Sequence, residues 1–118
     1  MKNIVLISIT FLLLLSCHES IYSTLSFDNR SKESVYLIYV QENGKGITQE
    51  IGVKEDLNMM FDKKWTDKNI QDVVSNIKEI KIYNKQDTLL KVSDKQQLFN
   101  LFKNNRALFH DRITFKIE

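Results

Sequence analysis

Short apolar runs that alternate with polar residues, broken by Asn, Asp and Gly clusters, constrain this chain more than any other feature. Leu25 and Phe27 alternate with Thr24 and Ser26, continuing a pattern that starts at Ile21. A period of two is the signature of a strand with one apolar face. Asp28-Asn29-Arg30-Ser31 follows as a turn, because Asn, Asp and Ser side chains bond their own backbone. Asn29-Arg30-Ser31 is also a formal glycosylation sequon, which we assign to that turn. Val35 to Val40 is an unbroken β-branched and aromatic run, which predicts a central strand buried on both faces. Asn43-Gly44 supplies a hairpin turn, and Ile47 to Val53 the returning strand.

Farther along, Leu57, Met59, Met60, Phe61 and Trp65 are apolar without a clean period. Thr66 or Asp67 is placed to cap a short helix carrying Ile70, Val73, Val74 and Ile77 on one face. Ile80 and Ile82 read as a strand, and Thr88 to Val92 as its hairpin partner across Asn84 to Asp87. Ser93-Asp94-Lys95-Gln96 matches a capping box, with Leu98, Phe99, Leu101 and Phe102 as the apolar face of the helix it opens. Asn104-Asn105 is expected to end that helix in a left-handed residue. Ile113, Phe115 and Ile117 form a last strand. About six strands and two short helices result. Hairpin signals outnumber any βαβ pattern, so the expected class is α+β, mainly antiparallel β and sandwich-like, with one or two short helices.

The first residues follow a different rule. Lys2 precedes a twelve-residue apolar run, Ile4 to Leu15, which is the layout of a secretory signal. The run is shorter than the roughly 20 residues that span a bilayer. Leu14-Leu15-Ser16-Cys17 ends it. This tetrad resembles the lipobox of bacterial lipoproteins. The resemblance implies cleavage between Ser16 and Cys17 and acylation of Cys17, which becomes the first mature residue. An ordinary secretory site requires small residues at −1 and −3, and Leu14 or His18 would occupy −3. Two or three acyl chains suffice for stable anchoring, whereas one binds only marginally. His18 stands where some lipoproteins carry an inner-membrane retention aspartate, which favours the outer membrane of the cell envelope.

The expected organisation is therefore a signal peptide over 1–16, a lipidated Cys17 with a short tether over 17–20, and one β-rich domain over 21–118. Phe27-Asp28-Asn29-Arg30-Ser31 through Val35-Tyr36 also resembles the opening of small uncharacterised envelope lipoproteins, a likeness that implies no activity. The tether is short enough to keep the folded part near the membrane surface.

Catalytic signals are sparse. Cys17 is the only cysteine, so an intrachain disulfide and a multi-cysteine zinc site are excluded. His110-Asp111 needs a distant serine to become a nucleophilic triad, and no G-x-S-x-G elbow is present. Glu55-Asp56 is expected to serve a helix N-terminus before Leu57. Gly44-Lys45-Gly46 lacks the leading glycine and following hydroxyl residue of a phosphate loop, so it reads as a turn. No catalytic residue, cofactor or metal is expected.

The net charge of +2 gives no footprint for nucleic acid. It conceals an asymmetry: residues 18–77 carry seven basic and ten acidic side chains, and residues 78–118 carry nine and five. Lys81 and Tyr83 share a strand face opposite Ile80 and Ile82, and make a candidate binding surface. Trp65, after Lys63-Lys64, is expected to be a partly exposed anchor for a partner. The expected role is a non-enzymatic, membrane-anchored module that binds an envelope protein or is structural. The alternative is an inhibitor or immunity lipoprotein that meets a toxin or hydrolase at the envelope.

Overall fold

The computed structural model of the chain describes residues 23–118. The readings of Lys2 to Ser20, Ser16 and Cys17 included, lie outside these residues, as does Ile21.

Among the described residues, seven strands and two helices follow one another, with a three-stranded and a four-stranded sheet. β1 (Ser23–Asn29) lies between β4 (Asp56–Phe61) and β7 (Arg112–Ile117). β2 (Val35–Gln41) and β5 (Ile77–Tyr83) are the inner strands of the second sheet, with β3 (Gly46–Ile51) and β6 (Thr88–Val92) at its edges. Every pairing is antiparallel except that of β1 with β7. The α+β, mainly antiparallel sandwich-like class is thus the one observed.

The helices are α1 (Asp67–Ser75) and α2 (Lys95–Asn104). Thr66 caps α1 by accepting from the Asn69 amide at 3.2 Å. Ile70 and Val74 are its buried residues, whereas Ile77, expected on the same helix face, starts β5 instead. The cap of α2 is Asp94, one residue later than the expected Ser93, and it accepts from the Gln97 amide at 2.9 Å. A carboxylate at this position also opposes the positive end of the helix dipole. Asn105 ends α2 at φ −107°, so the stop is not the expected left-handed residue. Its side chain instead donates to the Leu101 carbonyl at 2.8 Å.

Both sheets and both helices contribute to one contiguous core. Leu25 and Phe27 of β1, Leu37 of β2, Ile80 of β5 and Ile113 of β7 are fully buried. An aromatic chain crosses the core: Phe61 meets Trp65, Trp65 meets Phe102, Phe102 meets Phe115 and Phe115 meets Phe27, with centroids 4.9 to 6.0 Å apart. These tilted and edge-on contacts suit rings that carry opposite partial charge on face and edge.

The expected burial of the first two strands is reversed. β1 is buried on both faces, because Thr24 and Ser26 are short side chains on a strand paired on both sides. β2 alternates buried and half-buried, so only Val35, Leu37 and Tyr39 face the core. The stretch without a clean period contains β4, with Leu57, Met59 and Phe61 packed against the core and Met60 turned outward. Glu55 and Asp56 therefore lead into a strand and not a helix, and Glu55 accepts from the Gly52 amide.

Turn chemistry accounts for the connections. Gly44 takes φ 85° in the β2–β3 hairpin, a conformation open to glycine at little cost. Asn84 accepts from the amides of Gln86 and Asp87 between β5 and β6. Asn29 is fully buried and ties three segments together. Its amide nitrogen donates toward the carbonyls of Glu33, Ile51 and Gly52, and its oxygen accepts from the Ser31 amide and hydroxyl.

The acidic and basic parts of the chain meet across the fold. Asp67 pairs with Arg106 at 2.7 Å and with Lys103 at 3.3 Å, and Lys95 pairs with Glu42 at 2.6 Å. Part of the charge asymmetry seen along the sequence is thus cancelled in space.

Candidate functional site

The alternation in β2 and β5 places their polar and aromatic residues on the outer face of the four-stranded sheet. Tyr36 lies opposite Tyr83, Ile38 opposite Lys81 and Val40 opposite Glu79, all half-buried. The edge strands extend the rows. Glu50 of β3 lies opposite Tyr36, and Lys91 of β6 opposite Lys81.

Tyr36 and Tyr83 stack with centroids 5.3 Å apart and planes 24° from parallel. Directly opposite aromatic pairs are a unit of sheet stabilisation. Lys81 reaches along the same face until its Nζ is 5.4 Å from the centre of the Tyr83 ring. That is within range of a cation–π contact. A cleft of about 390 Å³ opens at the Tyr36 end, lined by Tyr36, Glu50, Lys32, Glu33, Lys85 and neighbours. The arrangement combines two amphipathic rings, adjoining aliphatic side chains and flanking cations.

Lys81 and Tyr83 are therefore brought together as their alternation with Ile80 and Ile82 predicts. Trp65 is not with them. It is 1% exposed, and its backbone amide donates to the His110 carbonyl at 2.7 Å. The expectation of an exposed anchor is corrected. The exposed Lys63-Lys64 pair and the helix cap at Thr66 bracket a side chain that fills the space between Phe61 and Phe102.

Sequence reasoning missed Ile38 and Val40 as surface residues, because a continuous apolar run does not show which face is covered. It also missed Leu108 and Phe109, which are 86% and 78% exposed. They belong to no periodic run, and that was the available signal.

A second cleft, of about 380 Å³, is lined by Tyr39, Gln41, Asn43, Phe61, Val73 and Asn76. Burial pushes the Tyr39 phenol up to about 12, so its hydroxyl stays neutral at physiological pH. His110 serves the backbone here, as a turn residue with φ 57°. Among the described residues, no group of three or more His, Cys, Asp or Glu side chains is placed to hold a metal ion. Nor, among those residues, is any helix long and apolar enough to cross a membrane.

Comparison with protein-family models, curated proteins and solved structures finds no match to the chain.

Proposed function

We propose that the chain is a lipid-anchored envelope protein whose β-rich domain binds another protein without catalysing a reaction. The observation that carries the binding role is the Tyr36–Tyr83 stack flanked by Lys81 on the outer sheet face. The anchoring role rests on Leu14-Leu15-Ser16-Cys17 and the apolar run before it. The cation beside the stack favours a partner that offers a carboxylate at its rim.

Two measurements test the proposal. Cys17→Ser is expected to abolish membrane fractionation and to leave the chain without added acyl mass. Unchanged fractionation and mass would overturn the anchor. For the binding face, a photo-crosslinking residue is placed at Tyr83, and at the exposed Asn100 on α2 as a control. A discrete adduct from position 83, absent from position 100 and lost in Lys81→Glu, is expected in the native envelope. Identical adducts from both positions, or none, would overturn the face. An adduct with a toxin or hydrolase would specify the role as inhibition or immunity.

A further inference from the structure

Between α2 and β7 the chain makes a short hairpin with an apolar tip. Arg106 and Ile113 form an antiparallel bridge, and the Ala107 amide donates to the Arg112 carbonyl at 2.8 Å. The His110 amide donates to the Ala107 carbonyl at 3.1 Å, which closes a turn with Leu108 and Phe109 as its central residues. His110 then takes a left-handed φ of 57°. Two large apolar side chains are thus held at the apex of a braced turn, where neither packs into the core.

The position of the apex gives the exposure a direction. β7 runs parallel to β1, with Arg112 beside Thr24. The turn that precedes Arg112 therefore projects past the start of β1, the end at which the chain enters from residue 22. Three bonds fasten this end. The Thr24 amide donates to the Asp111 carbonyl, the Ser23 hydroxyl to the Lys63 carbonyl, and the Trp65 amide to the His110 carbonyl. Exposed Lys63, Lys64 and Arg112 outnumber exposed Asp62 and Asp111 here, so the surround is mildly cationic.

We infer that the Leu108-Phe109 turn is a membrane-docking tip that seats this end of the domain on a lipid bilayer. The inference rests on the proposed acylation of Cys17. Five residues separate Cys17 from Ser23, and the six steps between them reach at most about 20 Å. An anchor that close holds the tip beside the bilayer, and a tethered contact forms at high effective concentration even where the free contact is weak. Leu and Phe enter the boundary between headgroups and acyl chains, while the cations face anionic headgroups.

The test uses the full, acylated chain in vesicles of phosphatidylethanolamine and phosphatidylglycerol. Acylation occupies Cys17, so Leu108→Cys provides one labelling thiol for an environment-sensitive fluorophore. Lys54→Cys marks the opposite end of β1, because the Lys54 amide donates to the Asn29 carbonyl. The label at 108 is expected to shift to the blue, and a nitroxide-bearing lipid should quench it several-fold more than the label at 54. Water-like emission at both positions in a vesicle-bound chain would overturn the tip and leave the anchor standing. A blue shift at 108 without lipid quenching would overturn it in favour of contact with a second copy. An intact mass lacking acyl chains on Cys17 would overturn the anchor, and the tip with it.

Discussion

The indole Nε1 of Trp65 donates a buried hydrogen bond of 3.0 Å to the backbone carbonyl of Thr24. Trp65 therefore joins the approach to α1 to the central strand of the three-stranded sheet, besides filling the core. Trp65→Phe removes the donor, and with it a bond between two distant segments, for a loss of about 1 kcal/mol. Trp65→Ala also opens a cavity and should cost about 3–5 kcal/mol. Urea titrations followed by circular dichroism measure both. In the unaltered chain, Trp65 emission should be blue and resist acrylamide quenching, since the ring is 1% exposed.

Asn29 is the second point at which distant segments depend on one side chain. Its amide nitrogen faces three carbonyls at 2.8, 3.0 and 3.2 Å. Asn29→Ala removes the bonds to all three carbonyls and the oxygen that holds the Ser31 turn, and should cost about 3 kcal/mol. Asn29→Asp places a carboxylate against carbonyl oxygens in a fully buried position. It should be less stable than Asn29→Ala at pH 7 and regain stability on acidification. A chemical-denaturation series at pH 7 and pH 4 distinguishes the two.

Asp67 responds to pH in the opposite direction. Hydrogen bonds from Arg106, then Lys103, hold its carboxyl below the usual carboxylate range. A carboxyl with a depressed value in the folded state contributes stability above its unfolded value and loses it as pH falls through the folded one. Asp67→Asn should therefore be less stable than the parent at pH 7, and the gap should close as the solution is acidified below the ordinary carboxylate range. The pair is exposed and screened, so added salt should narrow the gap as well. Thermal melts across pH and salt test both statements.

The outer sheet face should separate binding from stability. Tyr83→Ala loses the stack with Tyr36 and the cation contact with Lys81, and should cost about 1 kcal/mol of folding free energy. Lys81→Ala should cost less than about 1 kcal/mol. Lys81→Ala is expected to abolish the adduct formed from position 83, and Tyr83→Ala to abolish one formed from a crosslinker moved to Lys91, opposite Lys81. A denaturation curve and a crosslinking assay on the same preparation compare the two effects.

Much of this architecture was legible in the residues. The period-two pattern at Leu25 and Phe27, the Asn43-Gly44 turn and the apolar stripe of α2 each mark an element that forms. Lys81 and Tyr83 were placed on one surface because alternation is a local property of a strand. What escaped depends on distant parts of the chain. The exterior of β2 is visible only once it is known which sheet lies on which side. Trp65 is interior because Phe61 and Phe102 converge on it from other elements. Met60 obscured β4 by placing an apolar residue on the outer face, where alternation calls for a polar one. Parallel pairing of β1 with β7 leaves no local trace, because no hairpin connects them.

That pairing also sets an order of assembly. β1 is the first of the described strands to be synthesised, and β7 is the last of them. Leu25 and Phe27 cannot be enclosed on their β7 side until residues 112–117 are available. Closing a loop of that length precedes the contacts that reward it, which slows the step. The four-stranded sheet waits less, since its neighbours are joined by hairpins or, between β2 and β5, by residues 42–76. The sheet that holds the first described strand is thus the one that must wait for the last, and removal of residues 112–118 should leave it unable to close.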